Sequence, residues 1–236
     1  DYFEIRININ NPATEKTYLK VANDGTFFSE MGERILVGGW MIPTTYSVGN
    51  TYCPILNTRY GPGQPIFYLS LFAGRPRIML YNASGSLILD QTTTPPFSLI
   101  NGGVYFICTV IEPKNKNAWI VLGDKTSGTS WVSPTYSFTG TLNPSCTADI
   151  IMGMHADAYW YAGRFDDWFF DMDSSLTTDD LIDYFNGSLL TNGGDMGGAV
   201  DALTVPGVVS LRETEGVYPT EGTLYTAPAT CNLSGT

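Results

Sequence analysis

Positive charge is scarce in this chain. Only 12 Lys and Arg stand against 23 Asp and Glu in 236 residues, a formal net charge of −11. A surface of that sign repels phosphate backbones and anionic lipid, so nucleic acid is not an expected partner. No run of about 18 apolar residues occurs, so no membrane insertion is expected. Histidine is limited to His155, and no Gly-x-Ser-x-Gly turn accompanies it, which sets aside the Ser-His-Asp hydrolases. Glycine-rich phosphate loops are missing as well. The four cysteines, Cys53, Cys108, Cys146 and Cys231, include no close pair of the zinc-binding kind. Cys108 lies inside the apolar run 104–111 and reads as a buried thiol. In an oxidising compartment Cys53 and Cys146, each just ahead of a predicted strand, could staple neighbouring strands. Residue 1 is Asp and no leader precedes the first strand pattern, which fits either a processed secreted protein or a piece of a longer one.

What is present is β pattern. Hydrophobic residues make up 43% of the chain and aromatics 13%, enough for one sizeable core. Phe3, Ile5, Ile7 and Ile9 alternate on one face of a half-buried strand. Further strands are predicted at 34–42, 54–57, 66–72, 76–81, 86–90, 104–111, 118–122, 131–138 and 148–154, with Gly, Pro and Asn turns between them. About ten short strands and hardly any helix point to an all-β sandwich of two antiparallel sheets.

The densest stretch is Gly163-Arg164-Phe165-Asp166-Asp167-Trp168-Phe169-Phe170-Asp171, an aromatic strand, followed by a short helix near 177–186. Thr177 suits the N-cap, Asp180 completes a capping box, Leu176 and Leu181 suit a hydrophobic staple, and Gly187 suits the left-handed closing position. This order resembles the last core strand and exit helix of concanavalin A-like (laminin G-like) jelly-roll domains. Arg34 to Pro43, with Trp40 inside it, is similar to the family's early strand carrying a tryptophan and ending in proline. The resemblance frames residues 1–187 and implies an all-β, two-sheet antiparallel jelly-roll sandwich. Residues 188–198 are glycine-rich and read as a linker. Residues 199–236 hold too few candidate strands for a core of their own, so this extended tail is expected to pack on the sandwich, to pair with a neighbouring subunit or to begin a further domain.

Family enzymes that cut β-glucans carry a Glu-x-Asp-x-Glu type strand, whose alternation sets the carboxylates on one face. That segment is lacking here, and the cluster Asp166, Asp167, Asp171, Asp173 is a weak substitute, so no enzymatic activity is expected. Carbohydrate binding fits better. Tyr159, Trp160 and Tyr161 offer rings for sugar stacking, with His155 and Asp157 beside them, and three consecutive aromatics cannot all enter one core from a strand. Trp131, Tyr136, Tyr46 and Tyr60 are further aromatic candidates. The resemblance also implies one structural calcium ion, held by Asp166 together with Asn23, Asp24 and turn carbonyls. Two readings stay open: a non-catalytic glycan-binding or adhesion module, extracellular or on a virus particle surface, and a structural subunit that assembles with copies of itself through its termini. A glycan hydrolase is the weaker third.

Overall fold

The computed structural model describes residues 3–5, 19–21, 23, 27–44, 49, 52–58, 66–155, 159–187, 209–211 and 223–224. In chain order the strands are β1 (Phe3–Ile5), β2 (Leu19–Val21), β3 (Ile35–Pro43), β4 (Tyr52–Asn57), β5 (Phe67–Phe72), β6 (Arg75–Tyr81), β7 (Leu87–Thr92), β8 (Tyr105–Glu112), β9 (Asn117–Asp124), β10 (Thr129–Val132), β11 (Tyr136–Ser137), β12 (Ile150–Met152), β13 (Met154–His155), β14 (Tyr159–Trp160), β15 (Gly163–Asp171), β16 (Val209–Leu211) and β17 (Thr223–Leu224). Helix α1 (Thr178–Asn186) follows β15.

One sheet runs β1-β15-β3-β8-β9-β10, with β16 also on β15 and β11 also on β9. The other runs β17-β2-β12-β4-β5-β6-β7. Within these sheets β17 on β2 is parallel and the other pairings are antiparallel. Neighbours in space are distant in sequence, β15 beside β3 and β3 beside β8, because the chain passes repeatedly from one sheet to the other.

Alternation explains the layers. In β8, Tyr105, Ile107 and Ile111 enter the core between the sheets, while Phe106, Cys108 and Val110 turn to the opposite face. That opposite face is not wet, because α1 covers it with Leu181, Tyr184 and Phe185. Hence β8 and β9 are apolar on both sides, as a strand in a middle layer must be.

The helix is built from the signals its sequence carries. Thr177 accepts from the Asp180 N–H, the Asp180 carboxylate accepts from the Thr177 N–H, and Gly187 closes the end at φ 81°. Two indoles bind it to the sheet: Trp40 Nε1 donates to Tyr184 Oη at 2.8 Å and Trp119 Nε1 donates to Thr178 Oγ1 at 3.1 Å. Gly123 lets the layers meet, since a Cβ there would stand 2.2 Å from Phe185 Cδ2.

The sequence reading needs correction in places. The strand expected at 131–138 is two, β10 and β11, because Ser133 leaves the ladder to bond Ile120 N–H through its hydroxyl at 2.9 Å and Pro134 has no N–H to give. The strand expected at 148–154 breaks at Gly153, whose φ of 84° turns the chain into β13. Strand β2 and the β13–β14 ribbon were not foreseen. Of the strand expected over Phe3 to Ile9, Phe3–Ile5 is β1 and the remainder lies outside the described residues. Cys53 and Cys146 do not pair: each is a buried free thiol, as is Cys108, and Cys231 lies outside the described residues. In the tail, β16 and β17 both pair with this chain's own sheets.

Candidate functional site

The outward face of the seven-stranded sheet is aromatic. On β5, Phe67, Leu69 and Leu71 enter the core, so Tyr68, Ser70 and Phe72 point away from it. On β6, Ile78 and Leu80 enter the core, so Arg77, Met79 and Tyr81 share the outer side. Register sets Tyr52 opposite Phe72, Ser70 opposite Arg77 and Tyr68 opposite Met79. The β13–β14 ribbon, in which His155 pairs with Tyr159, then adds both rings to this face.

The rings touch in a chain. Tyr159 meets Tyr52 edge-on with centroids 4.9 Å apart and lies nearly parallel to His155 at 6.1 Å and 18°. His155 meets Tyr68 edge-on at 5.0 Å, and Tyr52 lies 5.5 Å from Tyr68. Tyr159 is 44% exposed and Phe72 37%, whereas Tyr68 is buried.

One ion pair crosses the face. Arg77 donates from Nε to Asp90 Oδ1 at 2.7 Å and from Nη2 to Asp90 Oδ2 at 2.6 Å, a two-pronged pair. Its guanidinium stands 5.0 Å from the Phe72 ring centroid and 5.7 Å from that of Tyr52. The hydrogen bond to Asp90 holds the guanidinium pKa above its ordinary value, so the arginine is a fixed cation. Ser70, opposite Arg77 in register, carries a fully buried hydroxyl that finds no hydrogen-bond partner among the described residues. Flat rings beside an array of donors and carboxylate acceptors form a surface suited to a polyhydroxylated ring.

The structure sorts the expected site residues. His155 and Tyr159 belong to this face. Trp160 stands opposite Met154 in the ribbon, and Asp157 lies outside the described residues. Tyr161 is a correction: it is fully buried, stacked on Phe165 at 4.4 Å and 21°, and so fills the core instead of meeting a ligand. Burial also lifts its hydroxyl pKa well above the usual tyrosine value. Trp131 and Tyr136 pack partly buried against the main core, while Tyr46 and Tyr60 lie outside the described residues. Tyr52, Phe72, Arg77 and Asp90 were missed. The alternation Arg75-x-Arg77-x-Met79-x-Tyr81 marked an outer face, but only pairing shows what shares it.

The residues expected around calcium follow different strands. Asn23, after β2, donates its amide to the carbonyls of Cys146 at 2.6 Å and Ala148 at 3.1 Å. Asp166 is exposed on β15 and accepts from the Asp167 N–H at 3.0 Å, and Asp24 lies outside the described residues. Among the described residues no three His, Cys, Asp or Glu side chains cluster as metal ligands. The remaining carboxylates are structural: Asp171 is buried and accepts from the Asp173 N–H, while Asp173 accepts from the Glu33 N–H.

On the other face of the molecule, a cavity of about 320 Å³ opens beside the end of α1. Trp40, Ile42, Val104 and Phe185 line it, and Lys125, Asp166 and Asp167 stand among its charged groups. Asp167 adopts φ 46° at the bulge where β15 shifts register against β3.

No protein-family model matches the sequence, and no curated protein matches it. Solved structures do share its fold. The chain aligns with the receptor-binding domain of botulinum neurotoxin mosaic serotype C/D at 11% identity and TM-score 0.51, over 80% of this chain and 46% of that one. It aligns with a structure of botulinum neurotoxin type C described by that toxin's interaction with two ganglioside molecules, at 11% identity and TM-score 0.55, over 79% and 45%. It aligns with the CBM40 of the Ruminococcus gnavus IT-sialidase bound to α2,3-sialyllactose at 14% identity and TM-score 0.50, over 71% and 95%. This chain is a jelly-roll sandwich. It spans less than half the length of the two toxin structures and nearly all of the carbohydrate-binding module, and at these identities the likeness is one of fold.

Proposed function

We propose that this jelly roll is a non-catalytic glycan-binding module of the concanavalin A-like kind, working outside a cell or on a virus particle surface. The observation that carries the reading is the exposed Tyr159 ring, buttressed by Tyr52 and His155 and set on the same sheet face as Phe72 and the Arg77–Asp90 pair. An aromatic surface held in place by its neighbours loses little freedom when a sugar stacks on it. The paired Arg and Asp supply donors and acceptors for hydroxyl groups without an uncompensated charge. Two proteins with this fold are described by a sugar or a ganglioside they bind, which suggests the first probes.

The test is glycan-array binding followed by calorimetry of the intact chain, including α2,3-sialyllactose and neutral oligosaccharides. Binding by the wild type that falls by about tenfold in each of Tyr159→Ala and Phe72→Ala, with unchanged melting temperature, supports the reading. A wild type that binds no glycan, or variants that bind as well as it does, overturns it.

A second reading rests on the tail. Strands β16 and β17 cover edges of both sheets, so the same pairings could be exchanged between copies of the chain to build an assembly. Light scattering of the intact chain beside one ending at Gly187 separates the two. Particles that disappear on truncation mark an assembly subunit, and a monomer in both forms rules it out.

A further inference from the structure

Strands β4 to β7 floor the aromatic face, and they carry three charged side chains, Arg75 and Arg77 on β6 and Asp90 on β7. Because Ile78 and Leu80 of β6 and Leu89 of β7 enter the core, alternation turns all three outward. Asp90 is thus the single carboxylate these strands present, and both its oxygens are engaged by Arg77. A guanidinium has five N–H hydrogens, and the pair uses two of them; the two on Nη1 and the second on Nη2 meet no acceptor among the described residues. Ser70 and Thr92, the register neighbours of Arg77 on β5 and β7, are uncharged. The Arg77 side chain is 18% exposed and that of Asp90 35%, so a ligand seated on the adjacent Phe72 ring can reach both. Arg75 is placed differently. It stands opposite Phe72 at the Ala73–Gly74 hairpin, exposed to water, and donates to Thr94 Oγ1 at 3.5 Å.

We infer that the Arg77–Asp90 pair determines specificity on this face, selecting a neutral sugar ring by two adjacent hydroxyls and excluding a carboxylated one. The inference rests on the glycan-binding reading above and names the class of glycan. A hydroxyl both donates and accepts. One of two adjacent hydroxyls can therefore take a remaining Nη1 hydrogen of Arg77 while the other gives its proton to an unused lone pair of Asp90, with the ion pair left intact. The apolar side of the same ring then lies against Phe72. A ligand carboxylate has no such arrangement. It only accepts, so at Arg77 it stands beside the Asp90 carboxylate, and displacing Asp90 leaves that charge without its partner. Arg75 offers an anion a water-exposed contact, the kind that contributes little. A protonated amino sugar meets the Arg77 cation while Asp90 is already neutralised. An uncharged vicinal diol satisfies both side chains and displaces neither.

The test is a glycan array read with the intact chain, carrying neutral oligosaccharides beside the same chains bearing a sialic or glucuronic acid, such as lactose beside α2,3-sialyllactose. Affinities for the best-bound matched pair are then measured by calorimetry. The wild type should favour the neutral member by about tenfold or more, the margin of one hydrogen bond to a charged group. Asp90→Asn releases Arg77 to a ligand carboxylate and should shift the ratio of acidic to neutral affinity by at least about tenfold toward the acidic member. Arg77→Met should weaken the neutral sugar without admitting the acidic one, and Arg75→Gln should leave the ratio unchanged. Wild-type affinity for the neutral member should also change by less than about twofold up to about 0.5 M salt, since no net charge is bound. An equal or acidic preference in the wild type, a steep salt dependence, or an unchanged ratio in an Asp90→Asn protein that melts like the wild type would each overturn the assignment while leaving glycan binding standing. A wild type that binds neither member of any pair overturns both.

Discussion

The contact between Gly123 and Phe185 holds α1 on its sheet and can be measured by a double-mutant cycle. A Cβ on Gly123 would lie 2.2 Å from Phe185 Cδ2, against an ordinary carbon contact of about 3.5–4.0 Å. Gly123→Ala therefore forces the ring or the strand to move by about 1 Å or more, an overpacking that costs about 1–3 kcal/mol. Phe185→Ala removes a side chain only 3% exposed, whose ring also packs 5.9 Å from that of Trp40, and should cost about 3–5 kcal/mol. The two changes are not independent. Once the ring is gone, the added methyl enters space that Phe185 left, and alanine is favoured over glycine inside a strand by about 0.5–1 kcal/mol. Gly123→Ala should thus destabilise the native protein but be neutral or stabilising in the Phe185→Ala background, a coupling of about 1–4 kcal/mol. Urea and thermal unfolding followed by circular dichroism would measure it. At about 2–4 °C per kcal/mol for a domain of this size, Phe185→Ala alone should lower the melting temperature by about 6–20 °C. Additivity within about 0.5 kcal/mol would refute the close contact and with it the account of how the helix is seated.

Two further outcomes follow from buried groups. Burial raises the Asp171 carboxyl above the ordinary aspartate value, so its proton is held more tightly in the folded state and the buried carboxylate weighs against folding at neutral pH. Asp180, bonded by the Thr177 N–H, and Glu112, bonded by Asn115 and Arg34, are shifted down; their contribution is present at neutral pH and is lost as pH falls through their folded values. Wild type should therefore gain stability relative to Asp171→Asn between pH 7 and about pH 4, and a difference that stays constant across urea melts at both pH values would contradict the burial of that carboxyl. Burial also pushes the thiols of Cys108 and Cys146 up, and all three described cysteines are enclosed. Native protein treated with a thiol-specific dye should label at no more than one of its four cysteines, Cys231, until denaturant is added; fast labelling of two or more would refute the packing.

How much of this was legible beforehand depended on the range of the interaction that decides each feature. Helix α1 was readable because its cap, capping box and closing glycine act within one or two turns, from Thr177 to Gly187. Strands β3, β8, β9 and β15 were readable because apolar runs of this composition have few other uses, and the all-β class followed from their number. The excess of acid over base, with one histidine, bounded the function without any coordinates. What joins those pieces was not written locally. Tyr159 and Tyr161 look alike in the chain, yet Tyr159 stays on the ribbon's outer side while Tyr161 is drawn under Phe165, because the chain leaves β14 between them and turns toward β15. Tyr52, Phe72, Arg77 and Asp90 become one surface only when β4, β5, β6 and β7 take their register, and a shift of a single residue would have turned each to the core. Cys53 and Cys146 are each buried in the core as free thiols, which their positions in sequence could not show. Sequence determined which segments become strand or helix, since those are contests between neighbouring residues; tertiary structure alone decided which side chains meet, since that is set by pairing between strands far apart in the chain.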